Sequence, residues 1–188
     1  MIKLIACIDN NKAIGKDGKL LYHLAEDMQN FKKLTKGDGN NAVVMGRKTY
    51  ESLPNGQLKG RTNIVLTKDK EWKDRNEKYV YEPSPLGGDK LSSESLFVLH
   101  GDTLAFLTEL DGFCKLKDFW IIGGGQIYKE AIEKGYPEML YITKVNRFTK
   151  DADTFFPDFE DKYELVEKSE VHDNGTYEYT FNVYKRKG

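Results

Sequence analysis

The stretch that most constrains this chain is Phe119-Trp120-Ile121-Ile122-Gly123-Gly124-Gly125-Gln126-Ile127-Tyr128-Lys129-Glu130. Its first four residues are aromatic or β-branched and end at glycine, the pattern of a strand covered on both faces. The glycines permit a sharp turn and a close approach of another group to the backbone. A helix follows, so its free N–H groups and the positive end of its dipole face the turn. Phosphate is the usual guest at such a point. A contiguous triple glycine equally serves to pack a helix tightly on a sheet, and it lacks the spaced glycines of the dinucleotide fingerprint. Alone, the turn leaves both readings open.

The pattern occurs twice. Ala42-Val43-Val44-Met45 is a second buried strand that runs into Gly46-Arg47-Lys48-Thr49-Tyr50. Lys59-Gly60-Arg61 turns into a strand over 62–66, which ends with Leu66 at Thr67-Lys68. Cations and hydroxyls at strand ends suggest an anion-binding rim, although any single one of them reads better as a solvated end. Further strands are expected over 1–8, 96–100 and 139–145. Helices are expected over 24–35, over 102–110 with Asp102 as N-cap, and from the triple glycine to Glu133. The end reads as antiparallel: 163–172, a turn at Asn174-Gly175, then 176–184, where Tyr177, Tyr179, Phe181 and Val183 alternate with polar residues. The fold class is therefore α/β, a mostly parallel central sheet flanked by helices with a C-terminal antiparallel hairpin.

Two segments resist this scheme. Residues 9–23 form a long loop carrying Gly15, Gly18 and an exposed-looking Leu20-Leu21-Tyr22, the kind of loop that serves as a lid. Residues 69–95 read as a surface excursion. In helix 24–35, Leu24, Met28, Phe31 and Leu34 make one apolar stripe, and Asp27 lies within it. Asp27 is either a first-turn acid favoured by the dipole or a carboxylate kept for chemistry. Glu26 could serve the dipole from the solvent side, so the inward position of Asp27 needs a reason.

Composition excludes several classes. The net charge of −1, from 29 basic and 30 acidic residues, gives no basic excess for nucleic acid. The apolar run over 4–8 is too short for a signal peptide, and no stretch has membrane-spanning length. Cys7 and Cys114 form no disulfide framework, which suits a reducing cytoplasm. His23, His100 and His172 are scattered, so no metal site is expected.

The remaining pieces stand in one order: Met1-Ile2-Lys3-Leu4-Ile5-Ala6, Ala13-Ile14-Gly15, Leu24-Ala25-Glu26-Asp27-Met28-Gln29-Asn30-Phe31-Lys32, Val44-Met45-Gly46-Arg47-Lys48-Thr49, Gly60-Arg61-Thr62-Asn63-Ile64-Val65-Leu66, Ile121 to Tyr128, Leu140-Tyr141-Ile142-Thr143 and Asp153-Thr154-Phe155-Phe156-Pro157. In this register the chain resembles dihydrofolate reductases over nearly its full length. The resemblance implies a single domain over 1–188 that reduces 7,8-dihydrofolate to tetrahydrofolate with NADPH, sending a hydride to C6 of the pterin while N5 gains a proton. It also implies a cytoplasmic monomer that supports one-carbon metabolism and thymidylate and purine synthesis, and that antifolates inhibit.

Residue by residue, the resemblance implies the following. Asp27, Thr143 and Tyr22 are the catalytic set, with Thr143 orienting Asp27 and the pterin. Ile5, Ala6, Cys7, Phe31 and Ile122 wall the substrate pocket, Arg61 grips the glutamate α-carboxylate, and Lys32 and Leu58 flank that tail. Gly46, Arg47, Lys48 and Thr49 form one cofactor turn, and Gly123, Gly124, Gly125, Gln126, Ile127 and Tyr128 the other. Arg47, Thr67 and Lys68 lie by the 2′-phosphate, which favours NADPH over NADH, and Leu66 also lies in the cofactor site. Ala6, Ile14, Gly15, Gly18 and Ile122 line the nicotinamide side beneath the lid. The chain departs from the family at Leu21-Tyr22, where Pro-Trp is usual, at Ala25 and Lys59, where proline is common, and at Cys7. A pyrimidine reductase of riboflavin synthesis would share the glycine turn but lack the Asp27, Phe31 and Arg61 set. A non-catalytic relative would have lost Asp27 or the triple glycine.

Overall fold

In the computed structural model, which describes residues 1–76, 81–83, 89–91, 95–100, 104–110 and 116–188, the elements follow in the order β1 (Ile2–Asp9), β2 (Ala13–Lys16), β3 (Lys19–Leu20), α1 (Ala25–Lys36), β4 (Ala42–Gly46), α2 (Arg47–Ser52), β5 (Thr62–Thr67), α3 (Lys70–Asn76), β6 (Tyr81–Pro83), β7 (Asp89–Leu91), β8 (Leu96–His100), α4 (Phe106–Leu110), β9 (Phe119–Gly123), α5 (Gly125–Lys134), β10 (Met139–Val145), β11 (Thr154–Phe155), β12 (Tyr163–Lys168), β13 (His172–Asp173) and β14 (Glu178–Arg186).

The main sheet has the order β12-β14-β10-β1-β9-β4-β5-β8, with β13 also paired to β14. From β10 to β8 every neighbour is parallel, and β14 joins β10 and β12 antiparallel. This is the mixed α/β sheet that the sequence suggests. Its central strands are apolar on both sides: Val43, Val44 and Met45 are fully buried. Burying each such side chain is worth about 1.5–3 kcal/mol. One face packs Leu104 and Leu107 near α4 and Ile127, Ala131 and Ile132 of α5. The other packs Phe31 and Leu34 of α1, Tyr50 and Leu53 near α2, and Trp72 of α3.

From β4 the chain steps outward to β5 and β8, returns to β9 between β1 and β4, and leaves again to β10 beyond β1. The direction of winding reverses between β4 and β9. In open α/β sheets the crevice at the carboxyl ends of such a pair is where ligands bind.

Several expectations are corrected. The 9–23 loop is partly a hairpin, with β2 and β3 joined by Asp17-Gly18 (φ 51° and 73°) and β11 added as a third strand. Tyr22 is buried at 7% exposure while Leu20 is exposed, so only part of Leu20-Leu21-Tyr22 faces solvent. Met28 is 47% exposed and leaves the α1 stripe. The first part of the 69–95 excursion is α3, capped by Asp69, whose Oδ1 accepts from the Trp72 N–H at 2.9 Å. Asp102 and Cys114 lie outside the described residues, and the helix expected there is seen from Phe106. The terminal hairpin is interrupted, with β12 and β13 both pairing β14 around Asn174-Gly175.

Candidate active site

Asp27 sits in the first turn of α1, where the dipole favours an anion. Its neighbour Glu26 is engaged elsewhere: Tyr179 donates its hydroxyl to Glu26 Oε2 at 2.8 Å, and His172 Nδ1 lies 3.0 Å from the same atom. Thr143 on β10 donates its hydroxyl to Asp27 Oδ1 at 2.5 Å. Burial raises the Asp27 carboxyl above the ordinary aspartate range, and the Thr143 bond opposes that rise. Cys7 on β1 stands in register with Thr143. Burial, then the charges of Asp27 and Asp9, push its thiol well up, so it is a neutral, unreactive group. Ile5 and Ala6 are buried on the same strand, and Phe31 and Ile122 are half-buried. A carboxyl, a hydroxyl and apolar walls thus meet near the carboxyl ends of β1 and β10.

At the far end of α1 lies Arg61, 4% exposed. Its Nη1 donates to Thr35 Oγ1 at 2.7 Å, and the guanidinium lies 5.9 Å from the Phe31 ring centroid. Its Nε is buried without a hydrogen-bond partner, and no acid pairs with it among the described residues. A desolvated cation with an unused donor is suited to pairing with an anion. Lys32 is exposed and Leu58 half-buried nearby in sequence. Asn63 is fully buried: it gives and takes a hydrogen bond with the Leu58 backbone at 3.0 Å, and donates to the Arg61 carbonyl at 2.9 Å. Thr35 and Asn63 escaped the sequence reading. Their signals were a hydroxyl one turn beyond Phe31 and an amide at the start of an apolar strand.

The two glycine turns meet at the winding reversal. Gly46 caps α2, and Gly124 caps α5. A Cβ on Gly46 would lie 4.0 Å from the Gly124 nitrogen, and one on Gly124 would lie 3.2 Å from Thr49 Oγ1. Gly123 has φ 126° and Tyr128 Oη 3.3 Å from its would-be Cβ, so both conformation and space demand glycine. The Gly123-Gly124 peptide is cis. Tyr128 donates to the Ile5 carbonyl at 2.8 Å, tying the first turn of α5 to β1. Two helix N-termini with no side-chain cap therefore converge on one crevice, an arrangement suited to a pyrophosphate. On its rim, Lys48 is exposed, and Arg47 Nη1 contacts Asp69 Oδ2 at 2.8 Å. Thr67 is buried, its hydroxyl accepting from the Asp69 N–H at 3.1 Å, and Leu66 and Lys68 flank it.

A family model described as dihydrofolate reductase matches residues 1–186. The chain belongs to the dihydrofolate reductase family. The activity that goes with membership is NADPH-dependent reduction of dihydrofolate. Among relatives of that family, the chain is 33% identical to the dihydrofolate reductase of Gallus gallus over 97% of this chain and 94% of that one. It is 35% identical to the type 3 enzyme of Salmonella typhimurium over 85% and 80%. It also matches the bifunctional dihydrofolate reductase-thymidylate synthase of Daucus carota at 33% identity, spanning 28% of that protein's length. Its structure is similar to that of the Enterococcus faecalis reductase complexed with NADP(H) and RAB-propyl, with TM-score 0.76, 27% identity and coverage of 100% and 97%.

Among dihydrofolate reductase features, the lid differs most from expectation. Ile14 is buried, Gly15 half-buried and Gly18 exposed on the β2–β3 hairpin. The Tyr22 hydroxyl bonds to Asp9 and Thr149 and, among the described residues, to no group of the Asp27 pocket. An open groove lined by Leu21, Tyr22, Arg147, Phe148 and Tyr177 lies beside it, and neither Asp27 nor Arg61 lines that groove. Among the described residues no cluster fit for a metal is present, and no helix is long and apolar enough to cross a membrane.

Proposed function

We propose that residues 1–188 act as one domain that reduces 7,8-dihydrofolate by delivering a hydride to C6 and a proton to N5, with Asp27 as the acid of the pterin pocket. The observation that carries this is the partly buried Asp27 carboxyl bonded to Thr143 among apolar walls. A carboxylate there accepts from the 2-amino group and N3 of the pterin and stabilises the cation formed when N5 is protonated. Thr143 holds the carboxyl in one orientation. Arg61, poised by Thr35 and Asn63, takes the glutamate α-carboxylate in a two-pronged grip, with Lys32 and Leu58 beside the tail.

The glycine turns fit the cofactor, because Gly46 and Gly124 open two helices whose N-termini carry no side-chain cap, and Gly123, at a φ that favours glycine, lets the turn lie close against them. When bound, NADPH supplies the hydride. Backbone N–H groups at Gly46 to Thr49 and at Gly124 to Tyr128 hold its pyrophosphate. Arg47, Thr67 and Lys68 receive the 2′-phosphate, and Ala6, Ile14, Gly15, Gly18 and Ile122 exclude water at the nicotinamide side. Tyr22 acts through the lid.

The same pocket takes antifolates, and the protein works as a cytoplasmic monomer, a state that sedimentation of the purified chain checks. Absorbance of NADPH with and without dihydrofolate tests the reaction. Oxidation that requires dihydrofolate is expected, whereas NADPH binding without consumption overturns the substrate assignment.

A further inference from the structure

Asp9 ends β1 as a buried carboxylate, 2% exposed, with no cation partner among the described residues. Four donors surround it. The N–H groups of Asn11 and Ala13 reach Oδ1 at 2.8 and 2.9 Å, and the Thr149 N–H and Tyr22 hydroxyl reach Oδ2 at 2.8 and 3.1 Å. The Tyr22 oxygen lies 2.7 Å from Thr149 Oγ1. A tyrosine hydroxyl has one proton, and a carboxylate can only accept. Tyr22 therefore donates to Asp9 and accepts from the Thr149 hydroxyl, while the Thr149 amide returns to the same carboxylate oxygen. The ring of Tyr22 meets Tyr177 edge-on at 5.3 Å, and Arg147 lies over Tyr177 at 5.8 Å.

We propose that Asp9, Tyr22 and Thr149 form a latch at the root of the lid, with Asp9 as a positioning residue for closure over the cofactor and pterin. This rests on the reading of the 15–22 segment as a lid. The lid's tip is held separately: Asp153 Oδ2 accepts from the Asp17 N–H at 2.7 Å, and its own N–H reaches the Gly15 carbonyl at 3.2 Å. Tip and root are thus each tied to the segment that follows β10, and the latch sets where the span between them comes to rest. Tyrosine is needed for it. The tryptophan usual in the family offers one N–H donor and no acceptor, so it could bond Asp9 but not receive the Thr149 proton.

Tyr22→Phe and Thr149→Val should each weaken NADPH binding about tenfold, the scale of one lost hydrogen bond, and slow single-turnover hydride transfer severalfold. The double variant should be no worse than either single one, because both break one ring. Thr149→Ser, which keeps the hydroxyl, should restore affinity. The pH midpoint of hydride transfer should stay put, since Asp27 is untouched. Unchanged affinity and hydride rate in folded Tyr22→Phe, even with a lowered Tm, would show a purely structural bond and overturn the proposal. So would additive effects in the double variant. Should Tyr22→Phe fail to fold, Tyr22→Trp reads the same affinity, and wild-type behaviour there overturns the latch. If the wild-type protein does not consume NADPH with dihydrofolate, the functional reading fails while NADPH affinity still judges the latch.

Discussion

Thr143 on β10 donates its hydroxyl to Oδ1 of Asp27 on α1 at 2.5 Å, joining the strand next to β1 to the helix that follows the lid. Two influences on one carboxyl are thereby set against each other: burial disfavours the anion, and the hydroxyl favours it.

Replacing Thr143 with valine keeps the shape and removes the favourable bond. The carboxyl then rises further. The acidic-side midpoint in the pH profile of kcat/KM should move upward, and turnover should fall by about tenfold, the scale of one strong hydrogen bond. An unmoved midpoint would mean that the bond does not act on the titrating group.

The raised Asp27 carboxyl also has a sign in stability. An unfolded aspartate titrates near 3.8, and the folded group titrates higher. Between the two values the folded state holds more protons, so stability falls as pH rises through that window, and the cost is complete above the folded pKa. Asp27→Asn removes the cost. Its Tm should exceed the wild-type value at neutral pH, and the two melting curves should converge as the pH drops below the unfolded value.

Arg61→Leu deletes a desolvated cation that has no acid partner among the described residues. The Tm should hold or rise, while KM for dihydrofolate should increase about a hundredfold, as expected for losing a charge-assisted pair of bonds. A pterin substrate without the glutamate tail should show no such change. Equal losses on both substrates would place Arg61 outside tail recognition.

Removing Arg47 and Lys68 together should narrow the preference for NADPH over NADH, measured as the ratio of kcat/KM. Arg47 contacts Asp69 in this structure, so Asp69→Asn, which frees that guanidinium, should widen the ratio. A ratio unaffected by the double replacement would assign the 2′-phosphate to other groups.

Much of this was legible from residue types. Apolar runs ending in glycine located β4 and β9, because doubly covered strands admit little but apolar residues. Asp27 stood out as an acid on an apolar stripe, although Met28, placed on that stripe by spacing, points to solvent. What escaped was polar and local. The lid hairpin hid behind Asp17-Gly18, a turn signal overlooked because its strands are so short. Asp9 read as the first residue of the 9–23 loop, yet it ends β1 and collects four donors from three parts of the chain. Tyr22 was assigned by family position to the Asp27 side, whereas its hydroxyl is taken by Asp9 and Thr149. Such partners lie up to 140 residues apart, and no periodicity encodes them. Trp72 was missed for a related reason, since one large side chain can bury a short helix in an otherwise charged segment.

The most direct test of the account compares wild type with Asp27→Asn for dihydrofolate reduction across pH. Asp27→Asn should lose orders of magnitude in turnover at neutral pH and recover in part in acid, where dihydrofolate arrives already protonated. It should also lack the ionisation seen in the wild-type profile. Wild-type turnover by Asp27→Asn at neutral pH would contradict the assignment of Asp27 as the acid of the pterin pocket.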